Sequence, residues 1–189
     1  MIRTRVGYAG GAKENPTYHN LGDHTETLQV DYDPSKISYE KLLELFWEEH
    51  DPTGRSWSRQ YKAVVFYHDE EQKRSALASR DRLAAKLGKT IHTEVLPFTH
   101  FYAAEDYHQK YRLRADRVLR EEFAAFYPDE ADLRESTAAA RVNGYLDGWG
   151  TRAELEDEID ALGLSERARE RLRAAVPVRL GRGAGVLSR

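Results

Sequence analysis

Thr25-Glu26-Thr27-Leu28-Gln29-Val30-Asp31-Tyr32-Asp33-Pro34 is the stretch on which the fold turns. Its threonines and valine favour a pleated surface, so 25–32 are expected as a strand. Pro34 removes a ladder donor and ends it. Ser38 then stands as an N-cap, and Leu42, Leu43, Leu45, Phe46 and Trp47 give the following helix its apolar side, up to about His50. Asp51-Pro52 stops that helix. Further on, Ala63-Val64-Val65-Phe66-Tyr67 is a short apolar run expected as a buried strand. Asp69 caps a second helix, with Ala76, Leu83 and Leu87 at helical spacing and Gly88 as its left-handed stop. Ile91 to Leu96 reads as one more strand. Strands alternating with helices make the first block, residues 1 to about 112, a mixed α+β domain.

From about residue 113 onward, 113–189, the pattern is wholly helical. Ala115 to Tyr127 and Leu133 to Leu146 each show helical periodicity, and Gly148-Trp149-Gly150 breaks it. Thr151 caps an acidic helix bearing Glu154, Glu156, Asp157, Glu158 and Asp160. Gly163 and Ser165 separate it from a basic one bearing Arg167, Arg169, Arg171 and Arg173. An antiparallel hairpin with complementary faces is expected, and no nucleic-acid patch, because the basic stripe has an acidic neighbour in the same chain. The tail Arg179–Arg189, rich in glycine and arginine, is expected to be loose.

Composition narrows the function. With 40% hydrophobic and 32% charged residues among 189, the chain buries a core and is not disordered. A net charge of −3, from 29 basic and 32 acidic residues, exerts no global pull toward nucleic acid. No run of about 18 uncharged apolar residues suggests a membrane span. Met1-Ile2-Arg3-Thr4-Arg5 lacks the apolar stretch of an export signal, so a cytoplasmic protein is expected. Cysteine is absent, which excludes disulfides, thiolate-bound metals and a thiol nucleophile from within these residues.

The first block also carries a series of unusual words. They are Gly7-Tyr8-Ala9-Gly10-Gly11, Asn15-Pro16-Thr17-Tyr18, Gly22-Asp23-His24-Thr25-Glu26, Gln60-Tyr61 and the run Phe101-Tyr102-Ala103-Ala104-Glu105-Asp106-Tyr107-His108-Gln109-Lys110-Tyr111. Taken singly, each has an ordinary explanation: a strand-end turn for the glycines, packing for the tyrosines, a solvated carboxylate for Glu26. Jointly and in this order, over residues 1 to 111, they resemble the A-type peptide-methionine sulfoxide reductases, which reduce the S epimer of methionine sulfoxide.

The resemblance implies a ferredoxin-like α/β sandwich followed by a helical extension. It implies that Tyr18 and Tyr61 aim hydroxyls at the sulfoxide oxygen, that Glu26 is the catalytic acid, and that His24 stands beside it in the substrate site. A sulfoxide is a strong acceptor without a proton, so donors aimed at its oxygen suit it, and a desolvated carboxyl supplies the proton as the S–O bond breaks. Implied partners are methionine-sulfoxide-containing proteins or free methionine sulfoxide, and thioredoxin or another thiol reductant. No cofactor, metal, nucleic acid or membrane is implied.

Two departures stand out. The family's Gly-Cys-Phe-Trp word, on the first strand and the turn into the first helix, lies upstream of Gly7-Tyr8-Ala9-Gly10-Gly11. Met1-Ile2-Arg3-Thr4-Arg5 matches the strand after that helix. The first strand and helix are thus expected to be missing from a longer protein, leaving unpaired edges on both sheet neighbours. Secondly, the loop Thr53-Gly54-Arg55-Ser56-Trp57-Ser58-Arg59 is short and lacks the family's Asp, while Trp57 fills part of the substrate pocket. Two other readings stay open. One is a non-catalytic methionine-sulfoxide-binding module; the other is a metal site from Glu105-x-x-His108 with His24-x-Glu26.

Overall fold

The computed structural model describes residues 1–176; the expectation for Arg179–Arg189 lies outside them. The strands are β1 (Arg3–Ala9), β2 (Thr25–Asp31), β3 (Val64–Tyr67), β4 (Glu94–Pro97) and β5 (Phe101–Ala103). The helices are α1 (Tyr39–Glu48), α2 (Glu70–Leu87), α3 (Tyr111–Ala115), α4 (Arg117–Phe126), α5 (Glu130–Glu135), α6 (Thr137–Leu146), α7 (Arg152–Glu158) and α8 (Glu166–Ala175). The chain forms two compact units, one of Val6–Ala104 and one that joins Met1–Arg5 to the chain from Glu105. The mixed α+β block and the helical C-terminal part are both present.

In the α+β unit the strands form two separate sheets, ordered β2-β1-β5 and β3-β4. β1 pairs antiparallel with β5, Tyr8 opposite Tyr102, and β3 pairs parallel with β4, Val65 opposite Val95. β2 therefore ends one sheet, and β3 has β4 on one side only. The two sheets are stapled at one end. Glu26 N–H donates to the Gln60 carbonyl at 3.0 Å, and the Thr25 hydroxyl lies 2.9 and 3.1 Å from the Gln60 and Lys62 carbonyls. Beside the staple a cavity of about 220 Å³ opens, walled by Ala9, Gly10, Thr25, Val64, Phe66 and Leu96 together with the charged Asp23, Arg59 and Lys62. Leu28, on β2, is 59% exposed.

Both expected caps are in place: Ser38 accepts from Lys41 N–H, Asp69 from Gln72 N–H, and Gly88 takes φ 62°. Burial is thinner than the periodicity implies. Of the apolar sides, only Leu43 and Ala76 are buried, and Leu87 is exposed. The two helices pack on each other and α2 on a sheet two strands wide, so their flanks have nothing to lie against. β1 and β5 escape a reading by pattern, because Arg3 and Arg5 break the apolar alternation and β5 is three residues long. The strand expected at 91–96 runs instead from Glu94 to Pro97.

The helical unit has the larger core. Leu113, Leu119, Phe123, Val142, Leu155 and Leu172 all lose essentially their whole surface in it. The helix expected over 133–146 is two, α5 and α6. Ser136, at ψ 126°, leaves the helical region and accepts from Ala139 N–H, capping α6 as it ends α5. Thr151 and Glu154 form a reciprocal capping box. The expected acid–base complementarity is present: Arg169 meets Asp160 at 2.5 Å and Arg173 meets Glu156 at 3.1 Å. The basic helix α8 packs on α4 and α6, and Arg171 pairs with Asp116 at 2.6 Å. Its buried Ala168 and Leu172 decide where it lies, and the exposed ion pairs follow.

Residues at the start of β1 belong to this unit through charge. Arg5 donates to both oxygens of Glu135 at 2.7 and 2.5 Å, and Arg3 donates to the same carboxylate at 3.1 Å. The buried Lys110 ammonium donates to the Thr4 and Arg134 carbonyls at 2.5 and 3.0 Å. The Arg5 hydrogen bond holds Glu135 down to about 2, against a partial desolvation that opposes it. A depressed carboxyl stabilises above its ordinary value near 4.5 and loses that contribution as pH falls toward 2. Acid titration of thermal stability is therefore expected to be less steep below pH 4.5 in Glu135→Gln than in the parent. Phe123→Ala, in the fully packed core, is expected to cost about 3–5 kcal/mol in chemical denaturation.

Candidate active site

The site is built from the loop between β1 and β2. β1 must end in a turn that brings its backbone against both a strand and a loop, and the glycines allow this. Gly10 has φ 81°, and a Cβ there would lie 2.6 Å from the Phe66 ring; at Gly11 it would lie 2.6 Å from the His24 nitrogen. The Asp23 carboxylate then accepts from Ala12 and Lys13 N–H at 2.9–3.2 Å, bonds that hold its carboxyl below the usual range.

His24 is almost fully buried and both its ring nitrogens are used by this loop. Gly11 N–H donates to Nδ1 at 3.1 Å, which obliges Nε2 to carry the proton it donates to the Lys13 carbonyl at 2.8 Å. Tyr102 packs edge-on against the ring. The structure thus gives His24 the task of holding the loop, one step behind the exposed residues. Sequence alone placed it at the substrate because its neighbour in the word is Glu26.

Four of the five residues singled out by sequence stand together. Tyr18 and Tyr61 are neighbours, and the Tyr61 phenol is raised above its ordinary value by Tyr18 first, then by partial desolvation and by the Glu26 carboxylate. Glu26 accepts from the Gln60 amide at 2.7 Å. The Trp57 indole lies 5.3 Å from the Tyr61 ring. The result is an aromatic wall carrying two hydroxyls beside a carboxyl group. Most of it is open: Tyr61 is 47% and Trp57 85% exposed and Glu26 is exposed as well, while Tyr18 is half-buried against the Tyr8, Leu21 and Ala104 cluster. The desolvated setting expected for Glu26 is therefore not supplied by these residues, which is a correction to the sequence reading. Gln60, which orients Glu26, was legible only as the first letter of the Gln60-Tyr61 word.

The metal reading finds no support among the described residues. His108 Nε2 is 4.0 Å from Glu105, both nitrogens of His24 are engaged in the loop, and no group of three or more metal-binding side chains gathers. Among the same residues no helix is long and apolar enough to cross a membrane.

Residues 1–140 match the family described as peptide methionine sulfoxide reductase, and 128–175 match the helical domain of selenoprotein methionine sulfoxide reductase A. A peptide methionine sulfoxide reductase of Drosophila melanogaster is 41% identical over 90% of the chain and 69% of its own length. The A5 form from Oryza sativa subsp. japonica is 39% identical over 86% of the chain and 66% of its length. The chain thus spans about two thirds of the length of these relatives. Among solved structures, reduced Mxr1 of Saccharomyces cerevisiae aligns at TM-score 0.54 and 31% identity, covering 57% of this chain and 68% of that one. Methionine sulfoxide reductase A of Corynebacterium diphtheriae aligns at 0.50 and 32%, covering 57% and 61%. Both sequence matches extend past the α+β block, the first into α6 and the second through α8, and the chain belongs to the peptide methionine sulfoxide reductase family.

Proposed function

We propose that these residues form the oxygen-binding wall of a peptide-methionine (S)-S-oxide reductase. The observation that carries the reading is the convergence of Tyr18, Tyr61 and Glu26 on one surface. Two phenolic O–H groups suit an acceptor that has no proton of its own, and the carboxyl next to them is placed to pass a proton to the sulfoxide oxygen. Trp57 and Tyr61 offer an apolar face to the substrate's methylthio end.

The attacking thiol comes from outside these 189 residues, which hold no cysteine. Thiolate attack on the sulfoxide sulfur forms a transient S–S bond while Glu26 protonates the oxygen. The oxygen then passes to the thiol sulfur as the substrate's S–O bond and the transient S–S bond break, so methionine leaves and the thiol becomes a sulfenic acid. A second thiol condenses with the sulfenic acid, releasing water and giving a disulfide that thioredoxin or another thiol reductant reduces. A reducing, cytoplasmic setting fits that chemistry. The divided sheet supports a strand as the carrier of the first thiol. β2 and β3 flank the cavity beside the staple, and the staple itself contains Glu26.

Two measurements test this. The chain by itself, with dithiothreitol and a methionine S-sulfoxide peptide, is expected to bind without turnover; turnover overturns the proposal. Binding followed by calorimetry is expected to weaken about tenfold for each of Tyr18→Phe and Tyr61→Phe, the loss of one hydrogen bond apiece, and to be absent for the unoxidised peptide. Equal affinity for methionine and its sulfoxide would remove the reading. Sulfoxide binding with no turnover after a thiol-bearing strand is restored would make the chain a binding module.

A further inference from the structure

The strap that carries Trp57 and Tyr61 has a charge character the proposed chemistry does not use. From Pro52 to His68 it contains no acidic residue, while Arg55, Arg59 and Lys62 are all present. Lys62 is paired with Glu94. Arg55 and Arg59 are exposed, and among the described residues neither side chain has a hydrogen-bonding or ionic partner. They differ in this from most arginines of the helical unit, such as Arg114, Arg141, Arg169 and Arg173, which are all paired. The acids near the strap are occupied: Glu26 accepts from Gln60, and Asp51 accepts from Thr53 N–H at 2.9 Å and its hydroxyl at 2.7 Å.

The strap is also held in shape. The Ser56 hydroxyl donates to the Ser58 carbonyl at 2.6 Å, and Gln60 N–H donates to the Ser58 hydroxyl at 3.2 Å. Between the two arginines Trp57 stands 85% exposed, an unusual amount of indole to leave in water. Its ring is against Tyr61, so the cationic strip runs directly into the aromatic wall of the candidate site.

We propose that Arg55, Trp57 and Arg59 form a docking strip for acidic polypeptide segments, so that the preferred substrate is a protein methionine sulfoxide flanked by Glu or Asp. The docking strip stands on the strap's own charges and geometry; its use in substrate choice rests on the function proposed above. Guanidinium groups take carboxylates in paired hydrogen bonds, and the indole supplies apolar area to the intervening backbone and side chains. A single-stranded nucleic acid would find the same residue types, but a net charge of −3 and the adjoining carboxyl of Glu26 oppose a polyanion more than a short acidic peptide.

The experiment uses the full chain and four fluorescent heptapeptides, with a central Met or Met S-sulfoxide flanked by Glu or by Lys, read by anisotropy. The Glu-flanked sulfoxide peptide is expected to bind about tenfold tighter than the Lys-flanked one in dilute buffer, as two exposed ion pairs allow. That ratio should fall toward one as salt rises from about 0.05 to about 0.5 M. Arg55→Gln with Arg59→Gln, both surface changes, should also bring it within about twofold, and Trp57→Ala should weaken both peptides alike. A ratio near one in the parent, a ratio that survives the double variant, or tighter binding of an oligothymidylate overturns the docking strip. Failure of the sulfoxide reading looks different: the Glu preference persists, but oxidised and unoxidised peptides bind equally.

Discussion

The α+β unit depends on three hydrogen bonds from Thr25 and Glu26 to the carbonyls of Gln60 and Lys62. They join its two sheets, and they lie where β2 begins and β3 is about to. Buried backbone groups must be paired, and at this end the partners come from segments far apart in sequence. Farther along, β2 pairs with β1 in its sheet, and Leu28 faces water. The same joint sets the candidate site. Glu26 follows Thr25 on β2 and Tyr61 lies between Gln60 and Lys62, so the bonds that align the sheets also bring carboxyl and phenol together.

Local signals were legible to the degree that one residue type can satisfy them. Ser38, Asp69 and Thr151 each cap the helix expected of them, and Gly88 is left-handed, because an orphan N–H or a positive φ has few chemical answers. Ser136 was not legible as a break, since Leu133 through Leu146 keeps an apolar period across it and only the buried cap bond to Ala139 shows the interruption. β5 and the charged start of β1 were hidden for a related reason. Their membership comes from partners distant in sequence, Tyr102 on Tyr8 and Glu135 on Arg5, and not from their own pattern.

The candidate site divides in the same way. Tyr18, Tyr61 and Glu26 were found because they stand in recognisable words, and Trp57 because it stands in the short loop before one of them; the structure puts them on one surface. His24 shows the limit of that kind of reading. A word records which residues are near one another in sequence and says nothing of which way a ring faces; two backbone bonds to Gly11 and Lys13 turn this imidazole inward. Exposure of Glu26 was equally invisible, since it depends on what covers β2 rather than on Glu26 itself.

β1 is shared between the compact units: Arg3 and Arg5 serve the helical one through Glu135, while Tyr8 and Ala9 lie in the core of the other. No flexible connector marks this crossing point; it falls inside a continuous strand. A contiguous fragment from Glu105 onward would carry Glu135 without its two guanidiniums and Lys110 without the Thr4 carbonyl, a buried ammonium short of an acceptor. Shuffling the helical part onto another protein as a simple cassette would thus leave its charge cluster incomplete.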